Sequence, residues 1–280
     1  MEFQWYPGHM TKAKRQMQED IKLIDLIIEV IDARCPVSSR NPDINNLAQG
    51  KLRLILLNKA DLADKASNAA WKTYFLKQGF YCVELDSRDR RNMKNVQSTL
   101  DEVCAAKFEK DRKRGIKNRP VRAIVVGIPN VGKSTFINSF AGKAVAKTGN
   151  KPGVTKGKQW IKLNKQVELL DTPGILWPKF EDNTVGLHLA FIGSINDAII
   201  QLQELALELI NFLILSYPGA LNARYQVNEE AKNHDILIEI AQNRNFLKKG
   251  SEPDYDKAAQ VLIEEFRSGA LGAISLENPS

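Results

Sequence analysis

Gly127-Ile-Pro-Asn-Val-Gly132-Lys133-Ser134 sets two glycines five positions apart and follows the second with a lysine and a hydroxyl. The pattern G-x-x-x-x-G-K-S suits the cradling of nucleotide phosphates. Glycine lets the backbone curl until its N–H groups face an anion, and a helix opening there adds partial positive charge. Asn130, Val131, Gly132, Lys133, Ser134 and Thr135 are therefore expected to contact the nucleotide. Lys133 should neutralise β- and γ-phosphate oxygens, and the Ser134 hydroxyl should ligate Mg²⁺. Asp171-Thr-Pro-Gly174 begins 37 residues after Ser134. The Asp171 carboxylate suits the Mg²⁺ shell, and the Gly174 N–H suits a γ-phosphate oxygen. Thr155, in Lys-Pro-Gly-Val-Thr155, is the matching threonine, expected at the metal only in the triphosphate state.

Asn58-Lys59-Ala-Asp61 has the form N-K-x-D, which reads guanine. The Asp61 carboxylate accepts from N1–H and the exocyclic amine. Adenine offers no such donor pair and would leave the carboxylate unpaired. The Lys59 stem can lie over the base, and Asn58 can tether neighbouring loops. Asp86-Ser87-Arg88 is a weaker match for the loop that offers a backbone N–H to guanine O6, with Ser87 as the expected contact.

These residues need elements to hold them. Leu26–Ile31 is a short apolar run with β-branched residues and predicts a strand; Leu52–Leu57, Val121–Val126 and Val167–Leu170 are further apolar runs that predict strands, and Tyr81–Leu85 is a weaker one. The base motif, the base loop, the phosphate loop and Asp171–Gly174 each directly follow one of them. Met10, Ala13, Met17, Ile21 and Ile24 form one stripe of an expected helix, and another helix should start at Lys133. Strands alternating with helical segments predict a parallel sheet covered on both faces. Lys107–Pro120 is polar and basic, so a linker is expected there. Beyond residue 180 the pattern turns helical: Leu202, Leu205, Ala206, Leu209, Ile210 and Leu213 share a face. Ala258, Val261, Leu262 and Phe266 repeat the pattern, and Gly269 is the expected stop.

Composition narrows the class. With 43% hydrophobic and 26% charged residues, a chain of 280 residues is expected to fold into one or two domains rather than stay disordered. No apolar run reaches membrane-spanning length, and residues 1–10 lack the features of a secretory signal. Cys35, Cys82 and Cys104 fit neither a disulfide framework nor a zinc site, and suit the cytoplasm. Residues 1–180 hold 33 Lys and Arg against 18 Asp and Glu, whereas residues 181–280 hold 7 against 15. The basic front portion fits a polyanionic partner; the acidic remainder does not fit RNA binding by charge alone.

The order of motifs is unusual. The base motif (58–61) and base loop (86–88) come first, then the phosphate loop (127–134), Thr155 and Asp171–Gly174. Ordinary GTPases run the other way. The sequence resembles the circularly permuted GTPases, including their ribosome-biogenesis branch. Trp5-Tyr-Pro-Gly-His9-Met10, Asp32-Ala-Arg34-Cys-Pro36, Ser38-Ser-Arg40-Asn-Pro42 and Asp256-Lys-Ala-Ala extend the likeness over essentially the whole chain. The fold expected is α/β: a circularly permuted Rossmann-like P-loop GTPase domain over 1–178 and an all-helical C-terminal domain over 179–280.

Many GTPases place Gln directly after D-x-x-G to orient the attacking water; Ile175 stands there and can neither donate nor accept. The resemblance points to His9 as the catalytic substitute, since imidazole orients water near neutral pH. Asn130 is also expected to help bind K⁺ between the phosphates. The activity implied is hydrolysis of GTP to GDP by an assembly factor of the large (50S) ribosomal subunit. It would bind rRNA and ribosomal proteins in the GTP state and leave on hydrolysis. Neither membrane nor DNA is an expected partner. Lys12, Lys14, Arg15 and the Arg112–Arg119 cluster are the expected RNA contacts. Ile175 also favours a second reading, a nucleotide-stabilised RNA-binding scaffold that scarcely turns over.

Overall fold

A computed structural model of the chain describes residues 18–116, 119–144, 159–162, 167–171 and 182–279. These form two compact units. One is Asp182–Ile274; the other contains the described residues that precede it together with 275–279.

The first unit is built on a six-stranded sheet of β1 (Leu26–Asp32), β2 (Leu52–Asn58), β3 (Tyr81–Leu85), β4 (Val121–Val126), β5 (Gln159–Lys162) and β6 (Val167–Asp171). Their spatial order is β3-β2-β1-β4-β6-β5, parallel throughout except for the antiparallel pair β5–β6. β1 is buried at every position, as expected of a central parallel strand with both faces covered. Ile31, Ile55, Leu57, Trp71 and Phe75 pack together, as do Ile24, Ile27, Ile44 and Ile124.

The sheet is laid down in two directions. From β1 the chain steps to β2 and then to the edge at β3. Helix Met93–Lys113 carries it back, and β4 pairs with the free side of β1. Twenty-one helical residues span about 31 Å at ~1.5 Å each. Three strand spacings are about 14 Å, so the helix is long enough for the return. The reversal leaves a topological switch point between β1 and β4. In parallel sheets such a crevice, beyond the carboxyl ends of the strands, receives ligands.

The expected strands all form, each within a residue of its expected end. Two expectations are corrected, and one strand is added. The linker is shorter than Lys107–Pro120, because helix Met93–Lys113 runs through its first half. Some of the charge there is paired along the helix: Lys107 bridges Asp25 and Asp111 at 3.2 Å each, and the exposed Glu109 pairs with Lys113. Secondly, residues 275–279 belong to the first unit and not to the helical domain. β5 is an additional strand, too short to carry periodic signal in the sequence; in it Ile161 is buried and Trp160 exposed.

The second unit contains helices Asn183–Phe191, Leu202–Ser216, Ala220–Tyr225, Asn233–Asn243 and Tyr255–Ser268. Leu205, Leu209, Ile210 and Leu213 are fully buried, as their shared face requires. The last helix stops at Gly269, whose φ of +82° is open to glycine at little cost. Arg267 closes the end of helix Asn183–Phe191: it donates to the carbonyls of Ala190 and Phe191 and pairs with Asp197 at 2.7 Å.

Candidate nucleotide site

β2, β3 and β4 are mutually parallel in direction, so their carboxyl ends lie on one edge of the sheet. Asn58 ends β2, Ser87 follows β3, and Gly127 follows β4. β6 is parallel to β4 and its last residue, Asp171, reaches the same edge. Motifs in reversed sequence order are thereby collected at one place.

Asn58 joins them. It is 2% exposed, so both ends of its amide need partners. Nδ2 donates to the carbonyl of Val131 in the phosphate loop at 2.6 Å. Oδ1 accepts from the Ser87 N–H at 3.0 Å and the Ser87 hydroxyl at 2.7 Å. One side chain thus links the base-side loop to the phosphate loop, 73 residues apart from Asn58. Ser139 adds a second tie, its hydroxyl donating to the Ser87 carbonyl at 2.6 Å.

Ser87, expected to offer its N–H to guanine O6, is engaged within the protein in this structure. Its N–H is committed to Asn58, and the Arg88 N–H is committed to Asp86 Oδ1 at 2.9 Å. Ser87 is therefore a buried brace between Asn58 and helix Lys133–Ala141.

The phosphate loop requires its glycines. Gly132 has φ of +99°, and a Cβ there would run into Asn58 Nδ2. A Cβ at Gly127 would run into the carbonyl of Val30 in β1. Asn130 adopts a left-handed φ of +61°, and Val131 is fully buried. Helix Lys133–Ala141 begins directly after Gly132, so its first-turn N–H groups, which have no partner within the helix, lie beside the loop. Lys133 is 8% exposed and donates to the Ile128 carbonyl at 2.8 Å, which holds its ammonium at the loop. Ser134 and Thr135 occupy the first helical turn. We expect Gly132→Ala to lower nucleotide affinity at least about tenfold through backbone strain and the displaced Asn58 amide. Isothermal titration checks this.

On the base side, Lys59 has φ of +58°, an uncommon conformation for a side-chain-bearing residue. Its ammonium pairs with Asp32 at 2.9 Å. Asp32 is fully buried at the end of β1 and also receives the Arg34 guanidinium at 2.9 Å through each of two nitrogens. Burial pushes the Asp32 carboxyl up, but Arg34 and then Lys59 outweigh it and hold the group well below the usual carboxylate range. The base motif therefore stands on a buried ionic support. In the sequence the only signal of this support is a lone Asp32-x-Arg34 closing an apolar strand.

Asp61 is partly exposed and engaged by Arg88, whose Nη2 lies 2.6 Å from Asp61 Oδ2. Arg88 also grips Asp86 through Nε and Nη2. A guanidinium presents the same planar donor pair as the guanine edge.

Ser134 offers a hydroxyl oxygen, a donor that suits Mg²⁺, and the Asp171 side chain lies outside what is described. His9, Thr155, Gly174 and Ile175, and the basic residues Lys12, Lys14 and Arg15, lie outside the described residues. His188 is buried in helix Asn183–Phe191, and His234 is exposed in the same unit. Among the described residues no helix is long and apolar enough to cross a membrane.

A phosphate loop after the central strand, N-K-x-D after a strand that precedes it in sequence, and the β1/β4 switch point define a circularly permuted P-loop GTPase. Comparison with known proteins is consistent with that class. Residues 122–246 match the family described as "50S ribosome-binding GTPase". The ribosome biogenesis GTPase A of Bacillus cereus is 47% identical over 280 residues, covering all of this chain and 95% of that one. The Thermotoga maritima protein of that name is 32% identical over 98% of this chain and 94% of its own. Among solved structures, GDP-bound YlqF of that organism ("TM YlqF") superposes with a TM-score of 0.68 at 28% identity, covering 95% of this chain and 99% of that one. The GNP-bound form from T. maritima gives 0.64, covering 96% and 99%. The chain belongs to the ribosome biogenesis GTPase A family.

Proposed function

We propose that this chain binds guanosine triphosphate across the β1/β4 crevice and hydrolyses it while engaged with the large ribosomal subunit. The observation that carries the reading is the Asn58 amide, which holds the phosphate loop and the base-side loop in one hydrogen-bonded unit. Asp61 reads the guanine edge. The Lys59 stem covers the base while its ammonium rests on Asp32. The N–H groups of residues 130–135 surround the phosphates, and Lys133 exchanges the Ile128 carbonyl for β- and γ-phosphate oxygens. Ser134, Thr155 and Asp171 would hold Mg²⁺, which neutralises charge on the β- and γ-oxygens. The Gly174 N–H contacts the γ-phosphate, and Asn130 helps hold K⁺.

His9 orients the attacking water, since Ile175 cannot. Hydrolysis releases the protein from the particle in the cytoplasm. Exposed Arg112, Lys113, Arg114 and Arg119 add positive charge to the first unit and suit contact with ribosomal RNA phosphates. Names of relatives, which couple a GTPase to ribosome biogenesis, support the partner.

Turnover measured with and without purified large subunits tests the reading. Large subunits should raise wild-type turnover by at least about tenfold, and His9→Ala should remove most of that rise, as loss of a water-orienting group does. Unchanged turnover on adding subunits would contradict the ribosomal role. Full stimulation of His9→Ala would remove His9 from the mechanism.

A further inference from the structure

Residues 275–279 return to the first unit and lie across two loops that carry the base site. The first follows β1. There the Leu276 N–H donates to the Arg34 carbonyl at 2.7 Å. The Glu277 carboxylate accepts the N–H groups of Val37 at 2.7 Å and Ser38 at 3.0 Å, and also the Ser38 hydroxyl. The second loop follows the base motif. There the Ser275 hydroxyl accepts the Asp64 N–H at 3.1 Å, and the Glu277 carbonyl accepts from Trp71 Nε1 at 3.1 Å and Ser67 Oγ at 3.3 Å. Ser275 and Leu276 are buried, 4% and 7% exposed.

What these loops hold gives the strap its consequence. The first is laced internally by Ser39, whose hydroxyl donates to the Cys35 carbonyl and accepts from the Asp32 N–H. It fixes Asp32, and Asp32 fixes Lys59. The second runs from Asp61 to Asp64 and into helix Lys65–Lys77. Ser275, Leu276 and Glu277 thus brace Lys59 from one side and Asp61 from the other. A carboxylate accepting two successive backbone N–H groups is among the stronger ways to pin a loop.

We propose that Glu277 is a positioning residue for guanine recognition. The strap holds Lys59 and Asp61 in the base-reading geometry without touching the nucleotide. This rests on the base site proposed above. Guanine is common to substrate and product, so the strap sets affinity for GTP and GDP alike and leaves the phosphate chemistry unaltered.

The experiment compares wild type, Glu277→Ala, Glu277→Gln and Asp61→Asn for dissociation constants of GTP, GDP and inosine triphosphate, with single-turnover hydrolysis and thermal melting alongside. Inosine lacks the exocyclic amine, so the GTP-to-inosine preference reports how well Asp61 is placed. Glu277→Ala should weaken GTP and GDP by the same factor, about tenfold. It should also reduce the preference over inosine triphosphate and leave the single-turnover rate unchanged. Glu277→Gln keeps one acceptor oxygen and should fall between; it carries the comparison if the alanine variant does not fold. Wild-type affinity and preference in both variants, with or without a lower melting temperature, would overturn the proposal. So would unequal loss of GTP and GDP. An Asp61→Asn protein with unchanged preference would instead sink the base-site reading itself, which separates the two failures.

Discussion

Replacing Asp32 by alanine should destabilise the first unit by about 3–5 kcal/mol, the usual cost of leaving a buried charge without its partner. Arg34 is 1% exposed and meets Asp32 through its backbone N–H, Nε and Nη2, so its guanidinium would lose its main anion. Lys59 would lose the same partner. Equilibrium urea unfolding of the two proteins gives the difference directly. Asparagine keeps the shape and removes the charge, so Asp32→Asn should recover only part of the loss. The pH dependence has a definite sign. Asp32 is held ionised in the folded chain below the pH at which a free carboxylate protonates. Its stabilisation is therefore complete above about pH 4 and lost as pH falls below that toward the lowered folded value. The gap between wild type and Asp32→Asn should be constant from pH 5 to 7, on the order of a few kcal/mol, and should shrink in acid. A gap that widens in acid would show that Asp32 is not the ionised centre of this cluster.

The second large effect is on specificity. Asp61→Asn should cost at least about a hundredfold in GTP affinity, because the carboxylate that accepts both guanine donors becomes an amide with one acceptor. The same change should raise affinity for xanthosine triphosphate, whose base carries a carbonyl where guanine carries an amine. An asparagine amide can donate to that carbonyl; an ionised aspartate can only repel it. Competition titration of both nucleotides against both proteins measures the exchange. Loss of GTP without any gain for the xanthine nucleotide would mean that Asp61 supports the loop rather than reads the base.

Much of this site was legible because phosphate and base recognition need particular residue types at fixed spacing. Gly132 is demanded by a φ of +99°, and that requirement is visible as G-K-S after an apolar strand, whereas the Asn58 amide that closes on it comes from a distant part of the chain. β1, β2 and β4 were legible because each is an apolar run broken within by a single charged residue, Glu29, Arg53 or Arg122. Sequence could not show that Ser87 spends its N–H on Asn58, because that bond joins positions 29 residues apart. The strap was hidden for a similar reason. Ser275-Leu-Glu277 has no periodicity, and its partners at Arg34, Ser38 and Trp71 lie more than two hundred residues earlier. The linker was overextended because Lys107–Lys113 was read by its charge, although i,i+4 pairing lets so polar a segment remain helical.

A crystal structure of the full chain with a nonhydrolysable GTP analogue tests the central claim most directly. Guanine should lie on the Asp61 carboxylate with the Arg88 guanidinium displaced from it, and Lys133 should have left the Ile128 carbonyl for the β- and γ-phosphates. A base bound away from Asp61 while the triphosphate fills the loop 127–134, or a triphosphate bound elsewhere, would contradict it.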